Sequence, residues 1–210
     1  MKTVLFQGDS ITDSGRFTEG TLDIGHGYPA MVAAYMGEKY PQKYKFIDRA
    51  VSGNRIVDVY ARVKRDIINL KPDYLSLMIG INDVWHDLGD DPNGVETPRF
   101  NRVYDELMSV VTEALPETKI ILMSPYYTEK TVLWDKNFKL WVTEKAEIAK
   151  EMSKKYKTAF IDTQMLFDKA VKRAPLEYWT ADGVHPTMFG HKLIANEYVK
   201  VFSEMEGLKK

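Results

Sequence analysis

Apolar positions along this chain change period repeatedly. Residues 3–7, 45–51, 74–79, 119–124 and 158–162 form short runs rich in Val, Ile, Leu, Phe and Tyr, ending at Gly, Ser, Pro or Asp. Continuously apolar runs of that length predict strands buried on both faces. Between them the apolar residues recur at helical spacing. Residues 28–40 carry Met31, Val32, Tyr35 and Met36. Residues 56–70 place Ile56, Val59, Tyr60, Val63, Ile67 and Leu70 on one face, with Arg62, Lys64, Arg65 and Asp66 off it. Thr97 reads as an N-cap and Pro98 as the first position of a helix burying Val103, Leu107, Val110, Val111 and Leu115. Further helices are predicted over 137–156, 165–171 and 188–205. Three stretches show neither period: 80–96, 126–136 and the segment from 172 to Pro186.

Strands alternating with helices predict an α/β fold, a five-stranded parallel sheet covered by helices on both faces with right-handed crossovers. No repeat, linker or low-complexity tract divides the chain, so residues 1–210 are expected to form a single domain. Sites in such folds form at the carboxyl ends of the strands. Composition narrows the class. Lys and Arg total 29 against 30 Asp and Glu, a net charge of -1, which argues against a nucleic-acid or anionic-membrane partner. There is no cysteine, so a thiol nucleophile, thiolate metal site or disulfide is excluded. No apolar run reaches membrane-spanning length. The first strand begins by residue 3, leaving no room for a secretory signal, and a cytoplasmic location is expected.

The candidate chemistry lies in the residues just past each strand. Strand one delivers Gly8-Asp9-Ser10, strand two Ser52-Gly53-Asn54, and strand three Gly80-Ile81-Asn82-Asp83. Alone, Gly-Asp-Ser is as common in ordinary turns. Together the three loops supply a hydroxyl, a glycine and a primary amide on one sheet edge. Asp182-Gly183-Val184-His185-Pro186, before the last helix, adds a base and an acid. Attack on an ester carbonyl needs Ser10 within about 2.6–3.2 Å of a neutral imidazole, here His185. Asp182 on the other ring nitrogen would fix the tautomer. The backbone N–H groups of Ser10 and Gly53 and the Asn82 amide can meet the developing oxyanion.

Through Gly8-Asp9-Ser10-Ile11, Ser52-Gly53-Asn54, Gly80-Ile81-Asn82-Asp83 and Asp182-Gly183-Val184-His185-Pro186, the chain resembles the GDSL, or SGNH, hydrolases, named for Ser10, Gly53, Asn82 and His185. The resemblance implies a three-layer flavodoxin-like sheet, the Ser10–His185–Asp182 triad, the three-donor oxyanion hole and no cofactor. The Gly-x-Ser-x-Gly elbow of the α/β-hydrolases is absent around Ser10. Lys71-Pro72-Asp73, Gly80-Ile81-Asn82-Asp83-Val84-Trp85 and Asp162-Thr163-Gln164 are similar to the bacterial acetylxylan esterases and carbohydrate acetylesterases. That implies a short-chain acyl ester as substrate, such as an acetylated xylo-oligosaccharide, and allows a homo-oligomer. In that group an aromatic should crowd the acid, whereas Trp179 stands three residues before Asp182.

Other readings of the same residues are weaker. Asp182 and His185 could be metal ligands, but His26, His86 and His191 form no matching cluster. His191 is expected to be structural, as are Asp9, Asp13 and Asp83 through hydrogen bonds to loop amides. Trp141 shares helical spacing with Phe138 and reads as core. Trp85, Trp134 and Trp179, with Tyr126 and Tyr127, are candidates for a sugar platform. A lysophospholipase or acyl-thioesterase would need a long apolar groove, whereas Asp87, Asp90, Asp91 and Asn93 beside Trp85 are polar. A nucleotide-binding module would need a glycine-rich phosphate loop, and residues 8–15 hold no Lys.

Overall fold

The computed structural model describes residues 1–17, 23–88, 90–129 and 136–208. In chain order the elements are β1 (Lys2–Gly8), α1 (Ser10–Asp13), α2 (Tyr28–Lys39), β2 (Tyr44–Asp48), α3 (Ile56–Ala61), α4 (Val63–Asp66), β3 (Tyr74–Met78), α5 (Ile81–Trp85), α6 (Thr97–Ala114), β4 (Lys119–Met123), α7 (Lys136–Lys155), β5 (Ala159–Ile161), α8 (Thr163–Ala170), α9 (Leu176–Trp179) and α10 (Met188–Glu206). The five strands form one parallel sheet in the order β2-β1-β3-β4-β5. The predicted sheet and its flanking helices are therefore present. No helix among the described residues is long and apolar enough to cross a membrane.

Alternate strand positions feed two cores, as a period of two requires. Val4, Phe6, Tyr74, Met78, Ile121 and Met123 meet α2 and α10 through Val32, Met36, Ile194, Tyr198 and Phe202. Leu5, Leu75, Leu77, Ile120 and Leu122 meet α3 and α6 through Ile56, Val59, Phe100, Tyr104 and Leu107. Burying both faces fixes the strand register and holds the carboxyl ends of β1, β2 and β3 side by side.

Five features differ from the sequence expectation. The helix expected over 56–70 breaks at Arg62 and again at Ile67, whose φ of -128° is not helical, and a single 3₁₀ turn completes it. Its many β-branched residues weaken helix formation, and Arg62 instead bonds Asn54 and Asp66. The irregular 80–96 stretch contains α5, and the 172–186 stretch contains α9. Thr97 lies inside α6 and Glu96 is the cap, because the Thr97 hydroxyl is engaged by Glu144 and Lys145 of α7. β2 ends at Asp48, whose Oδ1 accepts the Ala50 N–H at 2.7 Å and turns the chain off the sheet.

Candidate active site

Gly8 ends β1 where no side chain fits: a Cβ there would lie 2.4 Å from the Met78 carbonyl oxygen. The chain turns at once into α1. Asp9 caps it by accepting the Ile11 N–H at 3.0 Å, so Ser10 occupies the first helical position. Ser10 Oγ lies 2.8 Å from His185 Nε2, and His185 Nδ1 lies 2.6 Å from Asp182 Oδ2. The other carboxylate oxygen of Asp182 accepts the backbone N–H of His185 at 2.7 Å and of Val184 at 3.0 Å. Burial opposes the charged form of Asp182, but the His185 ring and these two amides outweigh it and hold the carboxyl below its ordinary value. The loop is tied from behind. Thr128 Oγ1 donates to the Gly183 carbonyl at 2.7 Å, and the Tyr126 hydroxyl donates to that of Val184.

The other two predicted donors belong to loops that touch each other. Asn82 sits in the first turn of α5, and its Nδ2 donates one proton to the Asn54 carbonyl at 3.1 Å. Its second N–H remains to be used. Asn54 follows Gly53, whose φ of +83° is a glycine conformation. Asp83 holds the same loop from below by accepting the Ile56 N–H at 3.0 Å.

The sequence from residue 6 to 193 matches the model of the GDSL-like lipase/acylhydrolase family. The chain belongs to that family. An acetylxylan esterase of Geobacillus stearothermophilus is 34% identical over 204 residues, covering 94% of this chain and 92% of its own length. A crystal structure of that organism's acetylxylan esterase superposes with a TM-score of 0.84 at 31% identity, over 95% of this chain and 93% of the other. A GDSL-like lipase from Parabacteroides merdae gives a TM-score of 0.88 at 34% identity, over 99% of this chain and 96% of the other. This GDSL-family protein is accordingly a carboxylic ester hydrolase acting on a small-molecule ester.

Several aromatic expectations need correction in this hydrolase. Trp179 is not a loop residue. It ends α9, is only 5% exposed, and donates Nε1–H to the Ala174 carbonyl at 3.2 Å, so its ring offers no open face for a sugar. Tyr126 is fully buried and stacks on Phe167 at 4.0 Å. Trp85 is half-buried on α5, edge-on to Phe138. Trp134 lies outside the described residues. Sequence reasoning missed Tyr178, 44% exposed and stacked at 4.2 Å on Phe189, itself 43% exposed. No sequence signal marks it, because its exposure is set by how α9 packs against the start of α10, where the Thr187 hydroxyl donates to the Tyr178 carbonyl.

His191 behaves as the structural residue expected. Its Nδ1 accepts the Tyr28 N–H at 3.2 Å, which leaves the proton on Nε2, and burial together with nearby His185 pushes its pKa down to about 4. The acids beneath the site behave oppositely. Burial pushes Asp48 up to about 8 and Asp9 and Asp83 up to about 7, against hydrogen bonds from Ala50, Ile11 and Ile56. Asp48 Oδ2 meets no hydrogen-bond partner among the described residues, as suits a neutral acid. In the unfolded chain all three ionise near pH 4, so from there to about pH 7 or 8 the folded state holds protons that the unfolded state has shed. Their stabilisation is full below the unfolded value and is lost as pH rises through the folded values. The thermal midpoint should fall between pH 6 and 9. Asp48→Asn, neutral at every pH and still an acceptor for Ala50, should fall less, by up to about 1.4 kcal/mol per pH unit below the folded value. Melting curves at pH 6, 7, 8 and 9 check this, and parallel slopes for variant and wild type would assign the loss to other groups.

Proposed function

We propose that this hydrolase removes short acyl groups, acetyl above all, from carbohydrate hydroxyls such as those of acetylated xylo-oligosaccharides. The observation carrying the reading is the unbroken hydrogen-bonded chain from Asp182 through His185 to Ser10. Ser10 attacks the ester carbonyl while His185 Nε2 takes its proton. The N–H groups of Ser10 and Gly53 and the Asn82 amide stabilise the oxyanion. The intermediate collapses with return of that proton to the leaving sugar oxygen, giving the free alcohol and an acyl-Ser10. Water, deprotonated by His185, then releases the acid and restores Ser10. Asp182 stays ionised throughout and supports the imidazolium at each stage.

The substrate class rests on the likeness to an acetylxylan esterase and on the polar residues around α5, including Asp87, Asp90 and Asn93. Trp85, one turn beyond Asn82 on α5, is the aromatic taken in this reading to stack on the sugar. Acetyl esters should exceed octanoyl and longer esters in kcat/KM, with no detergent, metal or cofactor added. Trp85→Ala should mainly raise KM for an acetylated xyloside and leave a small aryl acetate nearly untouched, because only the sugar uses the platform. A panel of aryl esters of increasing chain length, acetylated xylosides and lysophospholipid decides it. Long-chain esters or lysophospholipid outrunning every acetyl substrate would make the protein a lipase or thioesterase instead.

A further inference from the structure

Asp13 and Ser52 form a side-chain link between the helix carrying the nucleophile and the loop carrying Gly53. Asp13 closes the same four-residue helix that Ser10 opens. It is 7% exposed, and its Oδ2 accepts both the Ser52 backbone N–H at 2.8 Å and the Ser52 hydroxyl at 2.6 Å. Its Oδ1 accepts the Arg16 N–H at 3.2 Å and lies 3.7 Å from Arg16 Nε, which itself donates to the Ala50 carbonyl at 2.6 Å. Asp13 at the end of α1 therefore grips the chain after β2 at Ser52, and Arg16 just beyond the helix grips it at Ala50. Gly53 has no such grip. The space a Cβ would occupy there is open to 4 Å, so its left-handed backbone is oriented by its neighbours and not by packing. On one side stands Ser52 on Asp13; on the other, Asn54 on Asn82.

We propose that Asp13, acting through Ser52, is a positioning residue that aims the Gly53 N–H at the oxyanion formed over Ser10. The inference rests on the reading of Gly53 and Asn82 as oxyanion donors. A carboxylate suits the task because bonds to an ionised acceptor are shorter and stronger than neutral ones, and a preorganised donor acts only if it is already aimed. Losing a whole donor costs about 10²–10³ in kcat. A mis-aimed donor loses part of that, about tenfold.

Three variants with aryl acetate test this: Ser52→Ala, Asp13→Asn and the two combined. Ser52→Ala removes only a hydroxyl from an exposed residue, so it keeps the test open should Asp13→Asn not fold. Each single change should lower kcat about tenfold with KM unchanged. The double variant should match Asp13→Asn alone, since Asp13→Asn already removes the charged acceptor that the Ser52 hydroxyl uses. Inhibition by phenylboronic acid, whose Ser10 adduct places an oxygen in the oxyanion position, should weaken by the same factor, and Ser52→Thr should restore both. A residue that merely held the fold would lower the melting point and leave boronate affinity and the kcat-to-KM split unmoved, which would overturn the proposal. So would near-native kcat in Ser52→Ala beside a 10²-fold loss in Asn82→Ala, which leaves the oxyanion hole standing. Near-native kcat in Asn82→Ala as well would overturn the reading of the hole itself.

Discussion

Ser10→Ala should lower kcat for an aryl acetate by about 10⁴–10⁶-fold and leave the melting point close to that of the parent. The size reflects what is removed. Without Oγ there is no acyl-enzyme, and only the oxyanion donors and substrate binding remain to assist direct attack by water. The small effect on folding reflects the place of the side chain, half-buried at the start of α1, where the Asp9 cap and not Ser10 satisfies the helix. Stopped assays with purified variant, run at enzyme concentrations high enough to see the residual rate, measure the loss. A variant retaining a tenth of the parent kcat would move the nucleophile elsewhere.

Asp182→Asn is expected to cost about 10⁴ in kcat with little effect on KM. The local hydrogen bonds determine how the amide sits. One oxygen of Asp182 accepts two backbone N–H groups, from Val184 and His185, so the Asn carbonyl must take that side. The NH₂ group then faces His185 Nδ1, where Oδ2 now accepts. A donor there forces the ring proton onto Nε2, and His185 can no longer receive the proton of Ser10. Nitrogen-15 chemical shifts of the ring report that tautomer directly. High activity with the proton still on Nδ1 would mean that another carboxylate orients the ring.

The fold was readable because its strands are short, apolar and ended by Gly, Pro or Asp, and because both faces of the sheet need apolar residues. The candidate nucleophile, base and acid could be proposed from sequence for a different reason: their chemistry demands particular residue types, and the loops after β1 and before α10 hold few alternatives. What escaped was set by tertiary contacts. Trp179 and Tyr126 lie in segments without periodicity, so nothing in the sequence distinguishes a buried ring from a solvent-facing one, and the structure buries both. Thr97 has an ideal capping side chain that α7 claims instead. The helix expected over 56–70 had a clean apolar face, yet Arg62 and Ile67 broke it. Asp13 was legible only as a residue bonding some loop amide. That the amide belongs to the Gly53 loop depends on β1 and β2 pairing as neighbours.

In the proposed mechanism Ser10 forms the covalent acyl intermediate. A fluorophosphonate reacts with an activated serine in place of the ester, and peptide mapping by mass spectrometry identifies the modified residue. One adduct per chain is expected, on Ser10, absent in Ser10→Ala and slowed in Asp182→Asn. An adduct on Ser14, Ser52 or Ser124, or labelling that persists in Ser10→Ala, would contradict it.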